Sequence, residues 1–162
     1  MDNTETTRSA SEGEKKVVRA EREVAAPAAT VFELIADPSK QPQWDGNDNL
    51  EEAATGQRVR EVGDMFVMTL TNGQERANEV VEFEEGRLIA WKPSPMGEPQ
   101  PGHLWRWEVA PEGEGRCRVM HTYDWSGLGD DPKRQAKARA TTSENLMDSV
   151  LRLAGLAEAL HS

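Results

Sequence analysis

The stretches HLWRWEV, residues 103–109, and RVMHTYDW, residues 118–125, decide how this chain folds. Successive side chains of a strand point to opposite faces. In the first stretch His103, Trp105, Trp107 and Val109 share one face, and Leu104, Arg106 and Glu108 share the other. Arg106 and Glu108 belong in water, so the His103–Trp105–Trp107 face is the inward one. In the second stretch Val119, His121, Tyr123 and Trp125 alternate with Arg118, Met120, Thr122 and Asp124. A hairpin through Pro111–Gly115 would make these aromatics cross-strand neighbours. The result is an apolar face set with imidazole, indole and phenol groups, the kind of surface that lines a small-molecule pocket. The same rings also make an ordinary packed core, and the residues alone leave both readings open.

Outward from this pair the chain reads as an antiparallel meander. Alternation marks a first strand at 17–25, then strands at 50–55, 59–71, 74–84, 87–93, 103–110 and 116–125. The separators are turn formers, and Asn72-Gly73 between two alternating runs is a strong hairpin signal. Gly63 marks a candidate bulge. In 74–84 the parity is open, because Val81 and Phe83 share a face for which Val80 competes. Pro27 opens a helix whose apolar stripe is Val31, Phe32, Leu34 and Ile35. Asp37-Pro38 stops it, and Asp37 caps a second short helix running toward Trp44-Asp45-Gly46. After Asp131, a good N-cap, and Pro132 at the first helical position, one continuous helix is expected to about Leu160. It would be about 43 Å long. Met147, Val150, Leu151, Ala154 and Ala157 form its expected inner side, widened by Leu146, Leu153 and Leu160.

The 162 residues suffice for one domain, expected over 17–162 behind a polar, disordered tail at 1–16. The net charge of -10 repels nucleic acid and anionic membranes. Lys133, Arg134, Lys137 and Arg139, the nearest approach to a basic patch, read as a solvated helix face. No apolar run nears the roughly 20 residues that cross a bilayer, and the N-terminus lacks a secretory apolar core. Cys117 is the single cysteine, so no internal disulfide forms. The expected location is cytoplasmic. No converging set of metal ligands, glycine-rich phosphate loop or nucleophile elbow is present, so no metal, NAD, ATP or other cofactor is expected.

The order strand, two short helices, six-strand meander, long terminal helix resembles the START/Bet v 1-like superfamily, also called SRPBCC or helix-grip, in its polyketide cyclase/dehydratase-like branch. AAPAATVFELIADPSKQPQW (25–44), VGDMF (62–66), ANEVVEFEEGRLIAWKP (77–93) and GEGRCRVMHTYDWSGL (113–128) carry the likeness, which covers about residues 17–160. It implies an α+β fold in which a seven-stranded curved antiparallel sheet wraps the long C-terminal helix and leaves a cavity between them. Functions across such a family range widely.

Three readings follow. In the first, a small hydrophobic or aromatic ligand, lipid- or polyketide-like, binds in the cavity, lined by Trp44, Phe66, Phe83, Trp91, Trp105, Trp107, Trp125, Met147, Val150 and Leu151. In the second, the cavity folds a polyketide-like substrate by shape, and His121, Tyr123 or His103 moves a proton as a cofactor-independent cyclase/dehydratase would. In the third, the chain resembles the Hsp90-activator branch and uses an outer surface to bind protein. The protein is expected to be a monomer or homodimer. The carboxylates Asp45, Asp48, Glu82, Glu84 and Glu85 read as solvated. The loop 93–102, PSPMGEPQPG, is either a gate, with Met96 able to dip into the opening, or a stiff connection.

Overall fold

The computed structural model describes residues 15–161; most of the tail expected at 1–16 lies outside them. Strand β1 (Val17–Val24) is followed by helix α1 (Ala28–Ala36) and a 3-10 helix at Pro38–Gln43. Then come β2 (Leu50–Glu52), β3 (Met65–Leu70), β4 (Glu75–Glu84), β5 (Leu88–Pro95), β6 (Leu104–Pro111) and β7 (Cys117–Asp124). Two helices close the chain, α2 (Pro132–Arg139) and α3 (Ser143–His161). The strands form one seven-stranded antiparallel sheet in the order β1-β7-β6-β5-β4-β3-β2. Helices α1 and α3 cover its inner face, with α3 against β1, β7 and α1. This is the α+β helix-grip fold.

Capping residues act where the sequence places them. The Asp37 carboxylate accepts from the Ser39 N–H at 3.1 Å and the Asp131 carboxylate from the Lys133 N–H at 3.0 Å. The expected single terminal helix is instead two. Ala138 takes a tightened bond from the Thr141 N–H, and the Thr141 hydroxyl turns back onto the Lys137 carbonyl at 3.1 Å. Thr142 then starts a new helix. Its hydroxyl accepts from the Asn145 N–H at 3.2 Å while the Asn145 side chain accepts from the Thr142 N–H at 2.8 Å, a reciprocal capping box. Two β-branched hydroxyl residues in a row offer the backbone these local bonds in place of helix.

The strand expected at 59–71 begins only at Met65. Val59 instead tucks under α1, buried, its N–H on the Ala36 carbonyl. Gln57 replaces a strand neighbour for β3, accepting the Val67 N–H at 2.7 Å and donating to the Val67 carbonyl at 3.1 Å. That covers an edge that would otherwise invite pairing. Gly63 sits in the turn before β3, its N–H on the Val80 carbonyl. The open parity of β4 resolves through a bulge: Val80 pairs with Trp91, Glu82 with Ala90 and Phe83 with Ile89. Val81 is the extra residue, so Val80 and Phe83 both face inward.

One end of the sheet is open, and two prolines set where. The Arg87 carbonyl accepts from the Val109 N–H, so odd-numbered backbone groups of β5 face β6. Pro93 and Pro95 have no N–H to offer on that side. The β5–β6 ladder accordingly ends at Trp91–Trp105, while β5 continues against β4 as far as Pro95–Arg76. On the outer face Arg106 reaches over Ala90 to hold Glu82 in a two-bond pair, at 2.7 and 2.8 Å.

The core lies between the closed end of the sheet and the helices. Trp107, Val109, Val119 and Cys117 meet Val150, Leu153, Ala154 and Ala157, all buried. Phe32 of α1 packs edge-on against Phe83 at 5.8 Å. The buried stripe of α3 is Leu146, Ser149, Val150, Leu153, Ala154 and Ala157. It is turned from the expected one, which leaves Leu151 45% exposed. Thr142→Ala removes one half of the capping box and is expected to lower the unfolding free energy by about 1 kcal/mol, read from the urea midpoint at unchanged slope.

Candidate functional site

A cavity of about 410 Å³ occupies the open end of the sheet. Its floor is β3 to β7, through Met68, Asn78, Pro93, Trp105 and Tyr123. Its walls are the 47–50 segment and the 101–103 loop, and α2 roofs it with Arg134 and Lys137. A smaller recess of about 130 Å³ continues toward α3, bounded by Trp44, Asp45, Trp91, Trp107, His121 and Ser149. Asn47, Asn49, Leu50 and Trp105 border both spaces. The hollow is therefore under α2, beyond the end of α3, rather than along the whole terminal helix. The break at 140–142 creates it by letting α2 leave the line of α3.

Two glycine contacts fix the walls. A side chain at Gly46 would meet the Ser149 nitrogen at 2.6 Å and Asp148 at 2.8 Å, and the Gly46 N–H donates to the Ser149 hydroxyl at 2.8 Å. Arg152 holds the same segment through the Asp45 carbonyl at 3.0 Å and the Asp48 carboxylate at 2.7 Å. Gly102, at φ 117°, lies so close to Gly127 that an added Cβ would sit 2.0 Å from its carbonyl oxygen. The 93–102 loop is thus stapled to the 126–129 turn on its far side, as the Gly129 N–H on the Pro101 carbonyl also shows. Met96 is exposed and does not enter the cavity; Pro95 and Pro101 do.

The expected aromatic face exists as a continuous ladder. Trp105 stacks on Tyr123 at 4.3 Å and on His121 at 5.6 Å, and His103 meets the edge of Tyr123 at 6.0 Å. His121 stacks on Trp107 at 3.7 Å, and Trp107 meets Trp44 edge-on at 5.1 Å. The Trp44 indole N–H is anchored on the Leu34 carbonyl at 2.8 Å. His103, Trp105 and Tyr123 line the large cavity; Trp44, Trp91, Trp105, Trp107 and His121 line the recess.

Other expected lining residues are placed elsewhere. Phe66 is buried edge-on to Trp91, behind the cavity wall. Phe83 packs under α1, because the β4 bulge delivers it there. Trp125 lies between the Lys16 ammonium and the Arg139 guanidinium, at 5.4 and 5.6 Å. Val150 and Met147 belong to the packed layer under α3, and Leu151 faces water. In the other direction, Asp45 is buried in the recess rather than solvated. Arg76, Asn78, Arg134 and Lys137 line the cavity without having been singled out as lining residues. For Arg134 and Lys137 the available signal was their i, i+3 spacing on one face of a short helix.

The polar groups of the ladder are held in fixed protonation states. The His121 Nδ1 lies 3.1 Å from the Arg106 carbonyl oxygen, an acceptor only, so Nδ1 carries the proton and Nε2 is a bare acceptor. Burial pushes this imidazole down to about 3, against the opposing pull of that hydrogen bond. Burial, then the charges of Lys137, Arg134 and Arg76, push His103 down to about 4. Burial pushes the Tyr123 phenol up to about 12 and raises the Asp45 carboxyl. Among the described residues no His, Cys, Asp and Glu side chains gather into a three-ligand metal set. Both imidazoles titrate below the ordinary 6.5 in the folded state, so the unfolded chain binds more protons in the interval. Their stabilisation is full above about pH 6.5 and is lost as pH falls. Urea unfolding at pH 7 and pH 5 should show His121→Gln losing about 2 kcal/mol less than the parent between the two.

Comparison with known proteins agrees with this architecture. The family model described as polyketide cyclase / dehydrase and lipid transport matches residues 15–158. An uncharacterized protein of Mycobacterium tuberculosis (strain ATCC 25618 / H37Rv), Rv0088, is 31% identical over 110 residues, covering 66% of this chain and 46% of that one. The chain thus spans about half the length of the curated relatives it matches. A START superfamily protein from Mycobacterium smegmatis superposes with a TM-score of 0.61 at 20% identity, over 89% of this chain and 98% of that one. The ZhuI aromatase/cyclase from Streptomyces sp. R1128 superposes at 0.63 and 17% identity, over 88% and 93%. These two likenesses concern the fold. With a match running through β1, the sheet and α3, the chain belongs to the polyketide cyclase / dehydrase and lipid transport family.

Proposed function

We propose that the protein holds one small, largely apolar molecule, aromatic or lipid-like, under α2 without covalent chemistry. The observation that carries this is the aromatic ladder that runs from Trp105 and Tyr123 in a cavity of about 410 Å³, a size typical of small-molecule sites, to His121 and Trp107 in the adjoining recess. The family's description, which names lipid transport beside cyclase and dehydrase chemistry, supports it.

The protonation states favour binding over proton transfer. A general base or acid works best with a pKa near the operating pH. His121 at about 3 and His103 at about 4 are weak bases, and Tyr123 at about 12 is a weak acid. At neutral pH they act as a fixed acceptor, a neutral ring and a fixed hydroxyl, which orient a ligand.

The test uses the neutral dye N-phenylnaphthylamine, whose fluorescence rises in apolar surroundings. It should bind the parent protein. Met68→Trp, which fills the cavity, should abolish binding while the far-ultraviolet circular dichroism is retained; Leu50→Trp is the alternative filler. His121→Gln and Tyr123→Phe should shift affinity by less than about tenfold, the scale of one hydrogen bond. Absence of dye binding, together with no retained small molecule in native mass spectrometry of protein from its own host, overturns the reading. A collapse of turnover in His121→Gln, on a substrate that the variant still binds, would favour the cyclase reading instead.

A further inference from the structure

The chain carries a net charge of -10, yet the large cavity has no carboxylate among its lining residues. It has instead Arg76 from β4 and Arg134 and Lys137 from α2. Four arginines elsewhere are neutralised by acids: Arg58 by Glu33 and Glu85, Arg106 by Glu82, Arg118 by Glu21 and Glu112, Arg152 by Asp48. The Arg76 guanidinium meets only neutral oxygens, the Glu75 carbonyl and the Gln74 amide, each at 3.3 Å. Arg134 and Lys137 have no side-chain partner among the described residues. These positive charges bear on the inside of the cavity, since all of them line it and act on the half-buried ring of His103.

We infer that the ligand is an amphiphile with a single anionic head, a carboxylate, sulfonate or phosphate, seated between Arg76, Arg134 and Lys137 while its apolar body lies along Trp105 and Tyr123. This inference rests on the ligand-binding reading above and names the chemical class of its ligand. The geometry suits the division of labour. The cations come from two elements, β4 and α2, that line the same cavity as His103 and Tyr123 of the aromatic floor. An anion there gains charge-assisted hydrogen bonds from donors that have no competing carboxylate among the lining residues. An uncharged ligand would leave the like charges of Arg134 and Lys137, one helical turn apart, uncompensated.

Two dyes with one ring system separate the head from the body. Anilinonaphthalene sulfonate is N-phenylnaphthylamine with an added sulfonate. At low ionic strength the sulfonate should bind about tenfold tighter, and added salt should shrink that margin. The double variant Arg134→Gln, Lys137→Gln keeps polar side chains at exposed helix positions, and should erase the margin by weakening the sulfonate dye far more than the neutral one. Lys133→Gln, on the same helix but outside the cavity lining, should change neither. Equal affinities for the two dyes in the parent, or a margin that survives the double variant, overturn the anionic head and leave the cavity standing. Failure of both dyes overturns the cavity reading and the inference with it. Displacement of the sulfonate dye by free laurate assigns the anion to a soluble acid. Co-sedimentation with phosphatidylglycerol vesicles, lost in the double variant, assigns it to a lipid headgroup. If neither occurs, the inference falls.

Discussion

Two missing amide hydrogens govern this molecule. Pro93 and Pro95 sit where β5 would otherwise bond β6, and the ladder ends one pair earlier, at Trp91–Trp105. Past that point the sheet splays, and a hollow replaces what would be the continuation of the β5–β6 seam. The helix layer makes the matching concession. The local hydrogen bonds of Thr141 and Thr142 interrupt the terminal helix, so that α2 stands away from the sheet while α3 lies flat on it. Each break alone would leave either an unroofed opening or a roof with nothing beneath.

The boundary between the solid half and the hollow half is aromatic. Trp44 is tied to α1 through the Leu34 carbonyl, touches Trp107 edge-on, and Trp107 lies flat on His121. On one side of that stack are Val150, Leu153 and Ala154; on the other is the recess. The stack therefore contributes to stability as core and to recognition as wall. Its imidazole has one nitrogen committed to the Arg106 carbonyl, which fixes the ring and leaves the second nitrogen facing the recess. A group so placed keeps one hydrogen-bonding character over the neutral range, and the cavity offers a ligand the same pattern throughout it.

Most of the architecture was legible because alternation and capping are local. The faces of 103–109 and 118–125, the Asp37 and Asp131 caps and the meander order all follow from residues near one another in sequence. What was not legible depended on distant partners or on hydroxyl groups. The start of β3 is not written in local alternation, because Val59 is claimed by α1 and Gln57 stands in for a strand. The parity of β4 needed the bulge at Val81, which alternation alone cannot place. In sequence Leu151 reads as inward, since a leucine outweighs a serine in any apolar stripe, whereas Ser149 faces in to receive the Gly46 N–H. The site was legible in its aromatic floor and not in its charged rim. A basic pair on a short polar helix looks like any solvated surface until the fold shows what lies under it.

The pair formed by Arg106 and Glu82 has a consequence for how this family member can change. It straddles Ala90 on the convex side, joining strands that are not neighbours, and only a methyl group separates the two. A bulkier residue at that spot would wedge the pair apart and alter the bend of the floor. Ligand preference would then drift through substitutions on the back of the sheet, with every residue that touches the guest left as it is.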